Sequence, residues 1–430
     1  MMRLAVLSVH TCPLASLGGK ETGGMNVYVR ETCAELGRRG VRVDVFTRSQ
    51  DPAVPRRVEL IPGVVVHHVP AGPETPYPKY GLLQYMGEFV QGVMHQAPGP
   101  YDLLFTHYWL SGVAGLDLRN KWGIPMVHMF HTMGWIKNLV AKDQGEKEGE
   151  TRLIWEERVA READALVAPH PLERAQLVWQ YRACPGRIRV VPCGVDLSLF
   201  RPIDPAEARR ALGLDNSPRL IFVGRLDPIK GLDTLLKAMV LLKGKAGSPG
   251  ALPSLLVVGG PPWEAGTEPP PEILKASKQV QDLGIQDMVH LLGPRQQNSL
   301  PLYYSASLAC VLPSRYESFG MAALEAMACG VPVVASRVGG LSYTVLDGES
   351  GILVPEGDAE ALANTIRDLI ERPGWRAQMG ARASRRAQRF SWPGVVDGLM
   401  VLFEELLGGT NPLSEGHRRT TAVCQSPSRS

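Results

Sequence analysis

Cysteine is scarce in this chain, with seven among 430 residues. Cys12, Cys33, Cys184, Cys193, Cys310, Cys329 and Cys424 are scattered, odd in number and never spaced Cys-x-x-Cys. That excludes a disulfide framework and a zinc knuckle and fits a reducing cytoplasm. Charge of one sign is lacking too: 46 Lys plus Arg against 43 Asp plus Glu leave a formal +3. So small a bias over this length does not imply a nucleic-acid groove or a polybasic membrane anchor. No run approaches the roughly 18 apolar residues of a spanning helix. The opening MMRLAVLSVH has one basic residue and a short apolar stretch ending at His10 and Thr11, unlike a secretory signal. A soluble, cytoplasmic protein is expected. No repeat of fixed period is present, and neither G-x-G-x-x-G nor G-x-x-x-x-G-K-[ST] occurs where it would mark a dinucleotide site or P-loop. Asp-x-Asp is absent as well, and with it the usual carboxylate pair for a divalent metal.

What is present is a rhythm. At roughly 150 residues per domain the length predicts two or three domains, and 44% hydrophobic residues suffice to fill their cores. Short β-branched runs at 4–9, 41–47, 102–107, 125–131, 165–170 and 187–194 read as buried strands. Helical patterns lie between them, at Asn26–Arg39, Ser111–Lys121 and Gly149–Asp164. The alternation restarts at 219–225 and continues through 254–260, 288–294, 307–314, 331–336 and 351–355. Strand alternating with helix predicts a doubly wound parallel sheet, here twice over. The proline-bearing stretch from Pro192 to Pro205 is the expected hinge. The expected division is 1–194, 195–390, a closing helix over 391–407 and a flexible tail over 408–430. Two such α/β domains facing across a cleft would place the carboxyl ends of both sheets on its walls.

Three segments carry chemistry. HTCPLASLGGKETGG places Gly18, Gly19, Gly23 and Gly24 ahead of a helix, an anion cradle of backbone N–H groups and helix dipole as well as a tight turn. FVGRLDPIKG sets Arg225 at a strand end and Lys230 five residues on, two cations suited to a leaving diphosphate, though such a pair also suits a solvated surface. YESFGMAALEAMA puts Glu317 before a helix and Glu325 on it, two carboxylates that accept hydrogen bonds from vicinal hydroxyls. The small residues between them also let the helix pack closely. His128 and His131 tempt a metal reading, but residues three apart in a strand face opposite ways.

In combination these motifs resemble the retaining glycosyltransferases of family 4, which have the two-domain GT-B fold, and the likeness runs from about Arg3 to Trp392. The resemblance implies that Arg225 and Lys230 bind the donor diphosphate, Glu317 the sugar hydroxyls and Glu325 the ribose. Arg295 would lie near the uracil and Gly24 beside the transferred sugar. His131 would contact the donor sugar and support positive charge there. SVHTCPL, GGMNVYV, THYWLSGVAG and HTMGWIKN resemble the inositol-phosphate-using members of mycothiol biosynthesis, with sucrose-phosphate synthases as cousins. That likeness implies an acceptor phosphate held by Lys79, Tyr108, Thr132 and Arg152, with His10 and Asn26 near the acceptor ring. The chain reads HMFHT where those members usually read HTAHT, so His128 stands in different surroundings.

The expected activity is transfer of a hexosyl unit, glucose or N-acetylglucosamine, from a UDP-sugar to a phosphorylated polyol or sugar, inositol phosphate favoured. Fructose 6-phosphate and a lipid-linked acceptor at a membrane surface are the alternatives, and a binding protein or an epimerase on the same fold are further ones. Front-face substitution needs no dedicated base. No cofactor is expected, Mg²⁺ would bind only incidentally, and a homodimer is left open.

Overall fold

The computed structural model describes residues 1–15, 22–244, 252–263 and 267–408. Gly18 and Gly19 of the glycine-rich loop, and the tail beyond Gly408, lie outside them. The chain divides into two compact units. The first comprises Met1–Ala15, Met25–Pro192 and the stretch from Trp392; the second comprises Cys193–Ser391 with Gly24.

Eight strands build the first unit's sheet: β1 (Arg3–Leu7), β2 (Arg42–Arg48), β3 (Arg57–Ile61), β4 (Val64–Val69), β5 (Leu103–His107), β6 (Met126–Met129), β7 (Ala165–Ala168) and β8 (Ile188–Val190). Their order is β3-β4-β2-β1-β5-β6-β7-β8. Every pairing is parallel except β3 with β4. That antiparallel edge hairpin, turned at Gly63 with φ +85°, is absent from the sequence reading. β3 is half polar and partly exposed, so it lacks the apolar run that betrays a central strand. β5 is buried along its whole length, as a parallel strand covered on both faces must be.

Six strands form the second sheet: β9 (Arg219–Val223), β10 (Ser254–Val258), β11 (Val289–Gly293), β12 (Ala309–Leu312), β13 (Val333–Ser336) and β14 (Gly351–Val354). All pair in parallel, in the order β11-β10-β9-β12-β13-β14. Both sheets are therefore doubly wound. The order reverses beside β1 in one and beside β9 in the other, and at such points the loops leaving the strands diverge and open a crevice at the carboxyl edge.

The helices that cover these sheets fit closely. Trp109–Trp122 is rich in small residues, and an added Cβ at Gly112 would lie 2.8 Å from Val159 and 2.9 Å from His128. That glycine lets the helix sit down on β6 and on the helix Glu150–Glu162. In the second unit Leu235, Leu236 and Met239 bury against Leu220, Phe222, Leu255 and Val257 of the sheet. Each such side chain contributes roughly 1.5–3 kcal/mol. The last helix, Trp392–Leu407, belongs to the first unit, where Phe403 meets Phe105 edge-on at 5.6 Å and Trp392 meets Tyr28 at 5.8 Å. Among the described residues no helix is long and apolar enough to cross a membrane.

One glycine fixes how the second sheet's carboxyl edge is shaped. Gly259 follows β10 at φ +133°, and a Cβ there would lie 1.9 Å from the carbonyl oxygen of Gly224, just beyond β9. Gly259→Ala is therefore expected to cost about 2 kcal/mol or more of unfolding free energy. Urea denaturation reads this directly, and an unchanged midpoint would contradict the close approach.

Candidate functional site

In the first unit three loops at the carboxyl edge converge on a buried arginine. The loop after β1 carries His10. It is pinned by Asn26, buried on the helix Gly24–Arg38, whose amide donates to Thr11 Oγ1 at 2.7 Å and to the Cys12 carbonyl at 2.8 Å. Beyond β5, Tyr108 adopts φ 74° and ψ 154°, a region otherwise left to glycine and costing of order 1–3 kcal/mol. The strain turns its ring onto His10, 4.2 Å between centroids, and under the Arg152 guanidinium, 5.0 Å away.

Arg152 lies on the helix Glu150–Glu162 with its side chain 1% exposed. Nε donates to Glu156 Oε1 at 2.7 Å, and Nη2 to the carbonyl and hydroxyl oxygens of Thr132 at 3.0 and 3.3 Å. Nη1 lies 2.9 Å from Glu148 Oε1, close enough for an ion pair but not aligned as a hydrogen bond. Tyr80 and Lys137 also donate to Glu148, and Tyr181 and the Gly134 N–H to Glu156. Burial alone would raise the Glu148 carboxyl, but Arg152 and Lys137 hold it down at about 2. Lys79 lies over the Tyr80 ring, its ammonium 5.3 Å from the centroid.

The same unit carries four imidazoles at or near the ends of its strands, one of them, His10, within the field of Arg152. Burial, reinforced by Lys79, Arg152 and His131, pushes His10 down to about 3, and its Nδ1 has no partner. His128 Nδ1 is 2.7 Å from Thr106 Oγ1, and burial takes this ring to about 3 as well. His131 was expected at a strand end, but β6 stops at Met129. His131 instead holds φ +61° in a γ-turn of the rarer hand, closed by Thr132 N–H on the Phe130 carbonyl at 2.7 Å. Strand parity therefore does not govern it. Its Nε2 lies 3.0 Å from His107 Nδ1, and burial depresses it to about 3. His107 is pushed down by burial, then by His131 and His128.

In the second unit the loop after β9 meets the loop after β12. Gly231, at φ +69°, would place a Cβ 1.9 Å from the Pro313 carbonyl oxygen, so only glycine allows this approach. Arg315 ties the loops by donating its N–H to Ile229 O at 2.8 Å and its Nε to Pro228 O at 3.1 Å. The result joins two residues 87 positions apart: Lys230 Nζ donates to Glu317 Oε2 at 2.5 Å. Arg225 stands at the mouth of the same loop, 3.4 Å from Asp227 and partly exposed. Glu325, on the helix Met321–Ala328, accepts from Tyr304 at 2.8 Å. Burial raises it to about 7 against the donation of Tyr304 and Gln297. Arg295, just past β11, donates to Tyr303, the neighbour of Tyr304.

The candidates thus gather in two places. His10, Lys79, Tyr108, His131, Thr132 and Arg152 share one polar centre, with Asn26 serving the loop geometry. Arg225, Lys230 and Glu317 share another, with Glu325 and Arg295 held by consecutive tyrosines. Gly24 is the first residue of its helix. Glu148, Glu156, His107 and Tyr304 were not anticipated. Glu148 and Glu156 were legible as a four-residue ladder around Arg152; the other two carry no spacing signal.

Residues 23–194 match the family profile of the glycosyl transferase 4-like domain and residues 204–386 that of glycosyl transferases group 1. A D-inositol 3-phosphate glycosyltransferase from Saccharomonospora viridis is 44% identical over 411 residues, covering 94% of each chain. One from Actinosynnema mirum is 42% identical over 410 residues, covering 94% of this chain and 97% of that one. Among solved structures, sucrose-phosphate synthase from Thermosynechococcus elongatus superposes with a TM-score of 0.87 at 37% identity, covering 95% of this chain and 100% of that one. HepE from Anabaena, in complex with UDP-glucose, gives 0.71 at 22% identity over 95% and 100%, a likeness of fold.

The histidines give the fold a pH dependence of definite sign. His10, His107, His128 and His131 stay neutral when folded but protonate near 6.5 when unfolded, so the unfolded state binds more protons in acid. Their contribution is complete above pH 6.5 and is lost as the pH falls toward 3, by roughly 1 kcal/mol per histidine per pH unit. Glu325, raised to about 7, acts oppositely between pH 7 and its unfolded value of 4.5, one group against four. The melting temperature at pH 5.5 should lie well below that at pH 7.5; equal values would contradict the burial of neutral imidazoles.

Proposed function

The chain belongs to glycosyltransferase family 4, of the GT-B fold class, and from that membership we propose that it transfers a hexosyl unit from a UDP-sugar to a phosphorylated polyol with retention of configuration. Inositol phosphate is the favoured acceptor, and the hexosyl unit is glucose or N-acetylglucosamine. The observation that carries this reading is the pairing of Lys230 with Glu317 in the loop that bears Arg225 in one unit, and of Arg152 with Tyr108 and Thr132 in the other, where Lys79 and Arg152 both act on His10.

The donor side follows from the chemistry of the departing group. A nucleoside diphosphate gains negative charge as the anomeric C–O bond stretches, and fixed Arg225 and Lys230 stabilise that charge more than the ground state. An ammonium has three donors, so Lys230 can hold Glu317 and still meet phosphate oxygens. Glu317 accepts from sugar hydroxyls, and Glu325, steadied by Tyr304, accepts from the ribose. The cations supply this stabilisation without a metal at the chemical step.

Retention follows from a front-face path. The bond from the anomeric carbon to the diphosphate oxygen breaks, the acceptor oxygen bonds to the same face, and its proton passes to the departing phosphate oxygen. A separate base is not needed, and the imidazoles present are poor ones: at about 3, His10 and His131 bind protons too weakly to take one from an alcohol. His131 serves instead as a neutral dipole beside the sugar. On the acceptor side a phosphate dianion meets Lys79, the unaligned Nη1 of Arg152 and the hydroxyls of Tyr108 and Thr132. A second reading keeps the donor and takes fructose 6-phosphate; the 37% identity to a sucrose-phosphate synthase favours testing it.

Arg152 is a poor probe of this role, because its loss would strand Glu148 and Glu156 in the interior. Lys79→Met removes a peripheral charge instead. It should raise the KM for inositol phosphate about 10- to 100-fold and spare UDP-sugar hydrolysis without acceptor. An equal loss with unphosphorylated inositol would overturn the phosphate assignment. Lys230→Met should lower kcat by about 100-fold or more in nucleotide-release assays, and an unchanged kcat would remove it from leaving-group stabilisation.

A further inference from the structure

The imidazole of His107 plays no part in the chemistry above, yet it is fully buried against the one histidine expected to meet the donor sugar. Its Nδ1 lies 3.0 Å from His131 Nε2, with ring centroids 5.1 Å apart and the planes tilted by 44°. Phe105 packs on His107 at 4.2 Å, and the edge of Tyr28 closes over both imidazoles at 5.7 and 5.2 Å. The other nitrogen of His107, Nε2, is buried with no partner.

The proton between the two rings can belong to either. If His131 Nε2 carried it, His107 would have to hold its own proton on Nε2, a buried N–H with nothing to donate to. If His107 carries it on Nδ1, the donor is satisfied and only a lone pair is left bare. Orphaned buried N–H groups are the rarer and costlier defect, so the second arrangement wins. His131, whose Nε2 then accepts, must bear its proton on Nδ1, the nitrogen that does not meet His107. The unusual backbone at His131, φ +61°, is what turns Nε2 inward to make this bond.

We propose that His107 is a positioning residue that locks His131 in its Nδ1–H tautomer, so that a neutral hydrogen-bond donor rather than a lone pair faces the hexosyl unit or the departing phosphate. The direction of that dipole matters because an N–H stabilises developing negative charge on oxygen, whereas a lone pair opposes it. His131 in this tautomer would therefore act on an oxygen and not, as the resemblance implied, on positive charge at the sugar. This inference rests on the reading of His131 as a donor-site residue, and two measurements keep them separate.

The first is tautomer assignment by nitrogen-15 NMR of the histidine-labelled full-length protein without substrate. Wild type should show His131 protonated at Nδ1 and bare at Nε2, and His107→Leu should release it into a mixture. His107→Asn, whose amide nitrogen occupies the Nδ1 place, should restore the wild-type pattern. The second is steady-state transfer. His107→Leu should lower kcat about 10- to 100-fold, the loss typical when the partner orienting a functional imidazole is removed, with both KM values nearly constant; His107→Asn should recover most of the rate. Wild-type His131 protonated at Nε2, or a His107→Leu protein with an unaltered His131 tautomer, would overturn the proposal. If the tautomer shifts as expected but His131→Ala transfers sugar at the wild-type rate, the role of His131 in the donor site fails instead. A thermal melt of each variant separates these losses from unfolding.

Discussion

A guanidinium removed from water must be answered by charges and acceptors that are removed with it. Arg152 meets that requirement with Glu148 and Glu156, one on either side at four-residue spacing, and with the Thr132 oxygens. Lys137, Tyr80 and Tyr181 then satisfy the two carboxylates. The charges of Arg152, Lys137, Glu148 and Glu156 sum to zero, so the network can be buried, and each member holds the others in a single geometry. The loops bearing Tyr108, His131 and Thr132 are arranged around that network. Backbone strain at Tyr108 and His131 persists because the surrounding bonds leave no alternative.

This division of labour has a functional consequence. Under the proposed phosphate-binding role, with the central ion network neutral, the positive charge offered to an incoming anion would be that of Lys79, while Arg152 and Tyr108 would set direction. The second unit solves a similar problem differently. Lys230 and Glu317 are partly solvated and paired with each other, so in the proposed donor role each would exchange its partner for a diphosphate or a sugar at modest desolvation cost. Glu325 is the buried exception, and Tyr304 keeps its orientation.

The sequence made the architecture readable because buried parallel strands are continuous apolar runs, as at 102–107 and 331–336. The β3–β4 hairpin escaped notice because an edge strand with one wet face has no such run. Glycines and charges at strand ends, in FVGRLDPIKG and YESFG, marked the two segments that the second unit brings together at Lys230 and Glu317. His131 shows the limit of that reasoning. The apolar run MVHMF continues past the strand, and only the backbone turn at φ +61° decides where the imidazole points. His107 and Tyr304 were invisible for a related reason: they act through a side chain brought near by the sheet, not through any local pattern.

The central claim is that the first unit recognises a phosphate on the acceptor. It is tested most directly by measuring UDP release from UDP-glucose and UDP-N-acetylglucosamine with inositol phosphate and with plain inositol at equal concentrations. The account predicts rapid release with one of the two donors only when the acceptor carries its phosphate. Equal rates with both acceptors, or no release with either donor, would contradict it.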